Sequence, residues 1–237
     1  MDKSKANETS QEEAQVERRD FLGSAATLAG TSLLGLGMPA AANAAGPGDM
    51  AQDRMPSIPE DKMTEEQKKA AANLLSGPRK AVDGPFIPLL RSPEFMNRLQ
   101  KTGEYLRFNT KLGPINSEFI ILITARFWTQ QFEWDTHAAI AAKQGVKPEV
   151  IAAIAEGRRP ADLSPDHEML HNFCTELLHN KSVSDASYAA VLNRFGEGGI
   201  IDITGLVGYY SLLGMVLNVA RSPVPGGKPL GLPYFPH

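Results

Sequence analysis

From Thr64 to Arg221, Gly and Pro cut the sequence into segments of helical length, and no stretch carries the alternating pattern of a strand. That punctuation points to an all-α fold. Thr64 is placed to N-cap EEQKKAAANLL, and Gly77-Pro78 stops it. Gly84 to Pro93 reads as an extended, Pro-rich segment. Ser92, with Pro93 in the first helical position, opens a helix to about Leu106. Asn116 or Ser117 is expected to cap a helix running through Gln130. A second, Ala-rich helix follows and ends at Gly145. Pro148 opens a short helix closed by Gly157, Ser164-Pro165 opens DHEMLHNFCTELLHN, and Ser184 caps DASYAAVLNRF. Ile200 to Ala220 reads as one long apolar helix. Its length suits a membrane span, but Asp202, Thr204, Ser211 and Asn218 interrupt it. A helix that is apolar all round is equally a buried bundle helix or a subunit interface. The buried reading is favoured, and it suggests an oligomer.

Two N-terminal stretches differ in kind. Arg18 and Arg19 precede a weakly apolar run, Ala25 to Met38, and a small-x-small pattern, Ala42-Asn43-Ala44. This is the layout of a signal peptide over residues 1–44, and the paired arginines point to the twin-arginine translocase and a periplasmic destination. Cleavage is favoured over retention as a membrane anchor. Residues 45–63 are polar and rich in Gly and Pro, and read as a linker. Residues 64–237 are then the helical domain.

Composition narrows the function. Twenty-four Lys plus Arg against 27 Asp plus Glu give a formal net charge of −3, which argues against nucleic acid as the main partner. The single cysteine, Cys174, excludes an intrachain disulfide and a Cys-rich zinc site.

Chemistry-bearing residues concentrate in QQFEWDTHAAIAAKQG, residues 130 to 145. Steps of three or four residues place Glu118, Leu122, Arg126, Gln130, Glu133 and His137 along one nearly continuous helical stripe. Two carboxylates, a guanidinium and an imidazole would then converge inside an apolar bundle. There, burial and ion pairing push pKa values in opposite directions. The alternative is a solvated face carrying an ordinary Glu–His pair. A competing motif, His167-Glu-x-x-His171, matches a zinc-protease helix. No third ligand stands at a recognised spacing, although Cys174 lies three residues beyond His171. An amphipathic helix with packed Met169, Leu170 and Phe173 is the favoured reading, with no metal expected.

The run SEFIILITARFWTQQFEWDTHAAIAAKQGVKPEVIAAIAEG, residues 117 to 157, resembles the carboxymuconolactone decarboxylase family, related to alkylhydroperoxidase D. A Glu opens the helix, an apolar stretch ends in Ala-Arg, and Glu-Trp is followed by His three residues on. The resemblance spans about residues 86 to 220. It implies an all-α, alkylhydroperoxidase D-like helical bundle, oligomeric as a homotrimer or a hexamer built from trimers. The peroxidase branch carries Cys-x-x-Cys-x-x-x-His with a Glu twelve residues before the first Cys. The matching positions here are Glu118, Gln130, Glu133 and His137, so both cysteines are replaced and no disulfide cycle is available. The decarboxylase branch needs no cofactor. The resemblance therefore implies a lyase acting on a carboxylated lactone or related product of aromatic catabolism. In that reading Glu118, Glu133 and His137 are catalytic, and Arg126, Gln130 and Trp134 bind a small-molecule substrate. A peroxiredoxin-like oxidoreductase and a non-catalytic periplasmic binding protein are the alternatives.

Overall fold

The computed structural model describes residues 52–224, 226, 228 and 231–233. The signal-peptide reading and the first part of the expected linker lie outside them. Among the described residues, eight α-helices follow a 3-10 turn at Glu60–Lys62: α1 (Glu65–Leu75), α2 (Phe86–Leu89), α3 (Pro93–Phe108), α4 (Pro114–Phe127), α5 (Gln131–Lys143), α6 (Pro148–Ala155), α7 (Pro165–Asn180) and α8 (Asp185–Ala220). There is no strand among the described residues, so the fold is all-α, as an alkylhydroperoxidase D-like bundle requires.

The core is organised around α4. Every residue from Asn116 to Arg126 is buried, because the sequence FIILITA offers no polar face and can only be covered on all sides. Helices α3, α5, α6, α7 and α8 all pack against it. Phe119, Ile120, Ile121 and Leu122 are fully enclosed. Burial of each such side chain contributes roughly 1.5–3 kcal/mol relative to exposure.

Several helix starts follow the sequence signals. Thr64 forms a reciprocal capping box with Gln67. The hydroxyls of Ser164 and Ser184 accept from the N–H groups of His167 and Ser187. Other signals are overruled. α4 starts at Pro114, not after Asn116 or Ser117. Gly113 at φ 81° turns the chain into it, and the Asn116 amide instead donates to the Leu112 carbonyl at 2.9 Å. The segment expected to be extended contains the one-turn helix α2. The carbonyls of Asp83 and Gly84 accept from Phe86 and Ile87, and the prolines preset compatible φ values. The described part of the expected linker is fastened to the bundle: Arg54 N–H caps the Ala220 carbonyl at 2.8 Å, and Arg91 donates to Pro56 O at 2.7 Å.

The two C-terminal helices foreseen from sequence form the two arms of α8, which meet at the non-helical Gly196. Its φ of 71° is a conformation that strains any side chain-bearing residue. Beyond the bend, Ile203, Leu206, Val207, Tyr210, Leu213 and Leu217 are buried, whereas Ile201, Met215 and Val219 stay exposed. The helix is therefore buried along one side, not all round.

Gly103 in α3 shows how closely α8 approaches. A Cβ there would meet the ring and hydroxyl of Tyr209. Gly→Ala in a helix ordinarily gains up to about 1 kcal/mol, but here the clash outweighs that gain. Gly103→Ala is expected to destabilise the protein by about 1–3 kcal/mol, read as a lower urea midpoint at unchanged slope.

Candidate functional site

Three of the sequence-selected residues meet in one place. Glu118 projects from α4, and Glu133 and His137 from α5; all three are under 5% exposed. His137 Nδ1 lies 2.6 Å from Glu118 Oε2, and His137 Nε2 lies 3.4 Å from Glu133 Oε2. The imidazole is thus held between two carboxylates. The helical step from Glu133 to His137 supplies only the longer contact. The shorter one crosses from α4 to α5.

Sequence reasoning missed the groups that complete this arrangement. Arg107, at the end of α3, reaches Glu118 Oε1 at 3.6 Å. Tyr210 from α8 presents its ring edge-on to His137, 5.1 Å between centroids at 89°. Tyr209 packs on Tyr210 at 5.4 Å. No spacing rule links these positions to residues 118–137, and the tyrosines read as ordinary core residues.

The charges explain the protonation state. Burial alone would push the His137 pKa down, but hydrogen bonds and the charges of Glu118 and Glu133 outweigh it and hold it above the ordinary 6.5. Burial pushes the Tyr210 phenol well above 10, so it stays neutral. A raised histidine pKa ties stability to pH in a definite direction. The contribution is fully present below the unfolded-state value near 6.5 and is lost as pH rises through the raised folded value. Urea-unfolding stability is expected to fall on going from about pH 6 to 9, and this loss is expected to shrink in His137→Gln.

Glu133 and His137 open onto a cavity of about 400 Å³ whose lining includes Arg79, Asp83, Arg107 and Tyr210. Two buried polar atoms at this site, Glu133 Oε1 and Arg107 Nε, make no hydrogen bond among the described residues. Each retains capacity for a polar group entering the cavity. Partial burial, and then the Glu133 charge, raise the pKa of Asp83 at the rim.

The remaining sequence-selected residues do not join them. The expected stripe breaks at Thr129, which takes φ 47° and rotates α5 out of phase with α4. Arg126 therefore faces a different, larger cavity of about 1070 Å³ and donates to the Pro233 carbonyl at 2.8 Å. Gln130 is the N-cap of α5, accepting from Glu133 N at 3.0 Å, and its amide contacts Asn218 Oδ1 at 3.3 Å. Trp134 is buried beneath Gly231, where an added Cβ would lie 2.8 Å from the indole. The larger cavity also takes in Trp128, Arg159, His171 and His179, but it lacks the paired carboxylates and the imidazole held between them. The smaller cavity is the one that holds this group.

The competing histidine motif resolves into separate contacts. His167 stacks on Phe119 at 4.1 Å, while His171 lies beside Arg159, which pairs with Glu168 at 3.0 Å. Burial lowers the pKa of both histidines. Cys174 is fully buried, its thiol pushed up to about 12. No cluster of three or more His, Cys, Asp or Glu suited to a metal occurs among the described residues.

Residues 93–166 match the model of the carboxymuconolactone decarboxylase family. The match contains Arg107, Glu118, Glu133 and His137, and leaves the 79–86 wall and Tyr210 outside it. No curated protein matches the chain.

Proposed function

From a carboxymuconolactone decarboxylase domain that carries this carboxylate–imidazole–carboxylate relay, we propose a cofactor-independent carboxy-lyase acting on a carboxylated lactone or a related unsaturated acid. The observation that carries the reading is His137, buried between Glu118 and Glu133 and opening onto a cavity with a cationic rim.

The chemistry requires three things. The bond from the ring carbon to the carboxylate breaks, CO2 leaves, and the electron pair moves into the conjugated lactone carbonyl. A donor must stabilise the enolate oxygen. Arg107, with its unused Nε, fills that role. A proton must then reach carbon. His137, whose pKa is raised, supplies it, and solvent returns the proton through Glu133. Glu118 fixes the ring orientation through Nδ1 and is itself held by Arg107. Arg126, assigned a substrate carboxylate from the sequence, lies in the other cavity and has no part in this scheme.

A hydroperoxide-reducing role finds less support. Gln130 and Glu133 occupy the thiol positions, and the Cys174 thiol is buried with its pKa near 12. The test is CO2 release from a panel of carboxylated butenolides by the chain from Ala45 onward, with and without prior thiol alkylation. Release insensitive to alkylation supports the lyase. Hydroperoxide reduction abolished by alkylation would replace it.

We place the protein in the periplasm on the strength of Arg18 and Arg19. Replacing both with Lys is expected to retain it in the cytoplasm on cell fractionation, and undiminished export would rule out the twin-arginine route.

A further inference from the structure

The family segment supplies the reacting groups but only half of the cavity. One wall is built by residues upstream of it: Pro78, Arg79, Lys80, Asp83 and Phe86 line the cavity together with Glu133 and His137. This wall is held in a defined conformation. Gly84, at φ 50°, packs so closely on Phe132 of α5 that any Cβ would collide with the ring. The α2 turn follows directly.

Arg79 is the best-held cation on this wall. Its guanidinium lies over the Phe86 ring at 4.8 Å. Nη1 donates to Gln100 O and Nη2 to the Tyr209 hydroxyl, both at 3.4 Å. Tyr209 packs on Tyr210, which packs on His137. The side chain is half-buried and oriented from three sides. It spends two of the five N–H donors of a guanidinium, in long bonds, and three remain. Arg107, the other arginine at the cavity, pairs with Glu118 and is assigned to the enolate oxygen in the proposed reaction. Lys80 is exposed and makes no ion pair among the described residues.

We propose that Arg79 is the substrate-carboxylate receptor of this site. In this assignment the upstream wall selects small unsaturated lactones that carry a carboxylate besides the one lost as CO2, and the family segment performs the chemistry. The assignment rests on the lyase reading for its substrate class. Its physical basis is independent: a preoriented guanidinium and a buried imidazole that line the same cavity of about 400 Å³. A carboxylate docked on Arg79 accepts two parallel N–H bonds, a geometry that lysine cannot reproduce.

The test compares two probes by calorimetry on the full mature chain. Muconolactone carries a carboxymethyl group on a butenolide ring, and its methyl ester presents the same ring and arm without charge. Arg79→Gln is expected to weaken muconolactone binding by about 10- to 100-fold and to leave the ester within about 3-fold. Arg79→Lys is expected to recover part of the loss. Equal weakening of both probes, or unchanged muconolactone affinity, overturns the assignment. So does wild-type protein that binds neither probe or does not distinguish them. Melting curves of each variant identify any loss caused by unfolding, and Lys80→Gln provides a second charge removal at the exposed rim, expected to change affinity less than 3-fold. The two readings separate cleanly. Discrimination lost in Arg79→Gln without any CO2 release supports the receptor and removes the lyase. CO2 release that depends on His137 while discrimination persists in Arg79→Gln does the reverse.

Discussion

Replacing His137 with Ala is expected to lower kcat for decarboxylation by about 10²- to 10⁴-fold, the range over which a positioned acid or base acts. The expectation follows from its surroundings. The imidazole is buried, fixed at Nδ1 by Glu118 and faced at Nε2 by Glu133. Among the described residues no other imidazole lines this cavity. Tyr210 touches the ring, but its proton is held far too tightly to substitute. His137→Gln fills much of the same space and can hydrogen-bond to Glu118, but it cannot transfer a proton. It should therefore be as inactive as the alanine variant while melting closer to wild type. Steady-state turnover and melting curves together make the measurement. A kcat within threefold of wild type in either variant would remove His137 from the mechanism. The wild-type rate is also expected to fall as pH rises through the raised pKa, because the acid form is then lost.

Glu118→Ala should cost the most stability. Removing one partner from a buried ion pair typically costs about 3–5 kcal/mol, because the other charge is left unpaired. Here His137 has an escape. Without Glu118, burial becomes the stronger influence on the imidazole, which can give up its proton and avoid the full penalty. Arg107 cannot escape in this way, since a guanidinium stays charged. These opposing effects place the expected loss at about 3 kcal/mol, at the lower end of the range for broken buried pairs. For a domain of this size that corresponds to a melting point lower by roughly 6–12 °C. Glu118→Gln keeps the volume and one acceptor oxygen and should lose about half as much. A Glu118→Ala protein as stable as wild type would mean that the 2.6 Å contact contributes nothing net.

Sequence and structure agree where a local rule decides and diverge where packing does. Thr64, Ser164 and Ser184 act as caps because a hydroxyl beside a helix start needs only its own next turn. The start of α4 was misplaced because Asn116 and Ser117 are also good capping types. Gly113 and Pro114 dictate the chain direction first, and buried Asn116 spends its amide on Leu112. At the site, Glu133 and His137 were visible as an i,i+4 pair. Glu118 is grouped with them by the helical stripe and by the family pattern, but the contact itself crosses from α4 to α5. The error over Arg126 has one cause: a periodic stripe assumes continuous phase, and three residues between α4 and α5, with Thr129 at φ 47°, break it. Arg79, Arg107 and Tyr210 could not be read at all, because only tertiary packing brings them to His137.

The thiol-free makeup of this relay has a consequence for where the protein can work. Carboxylates and an imidazole exchange protons and store no electrons. A site built from Glu118, Glu133 and His137 therefore needs no reductant to reset it between turnovers, whereas a dithiol site does. It also stands outside the chemistry by which peroxides carry cysteine to sulfenic and higher acids. The one cysteine, enclosed in the core and far from its thiolate form, is shielded from the same attack. Such an enzyme would be indifferent to the redox poise of its surroundings and would run equally well in a reducing cytoplasm or an oxidising envelope.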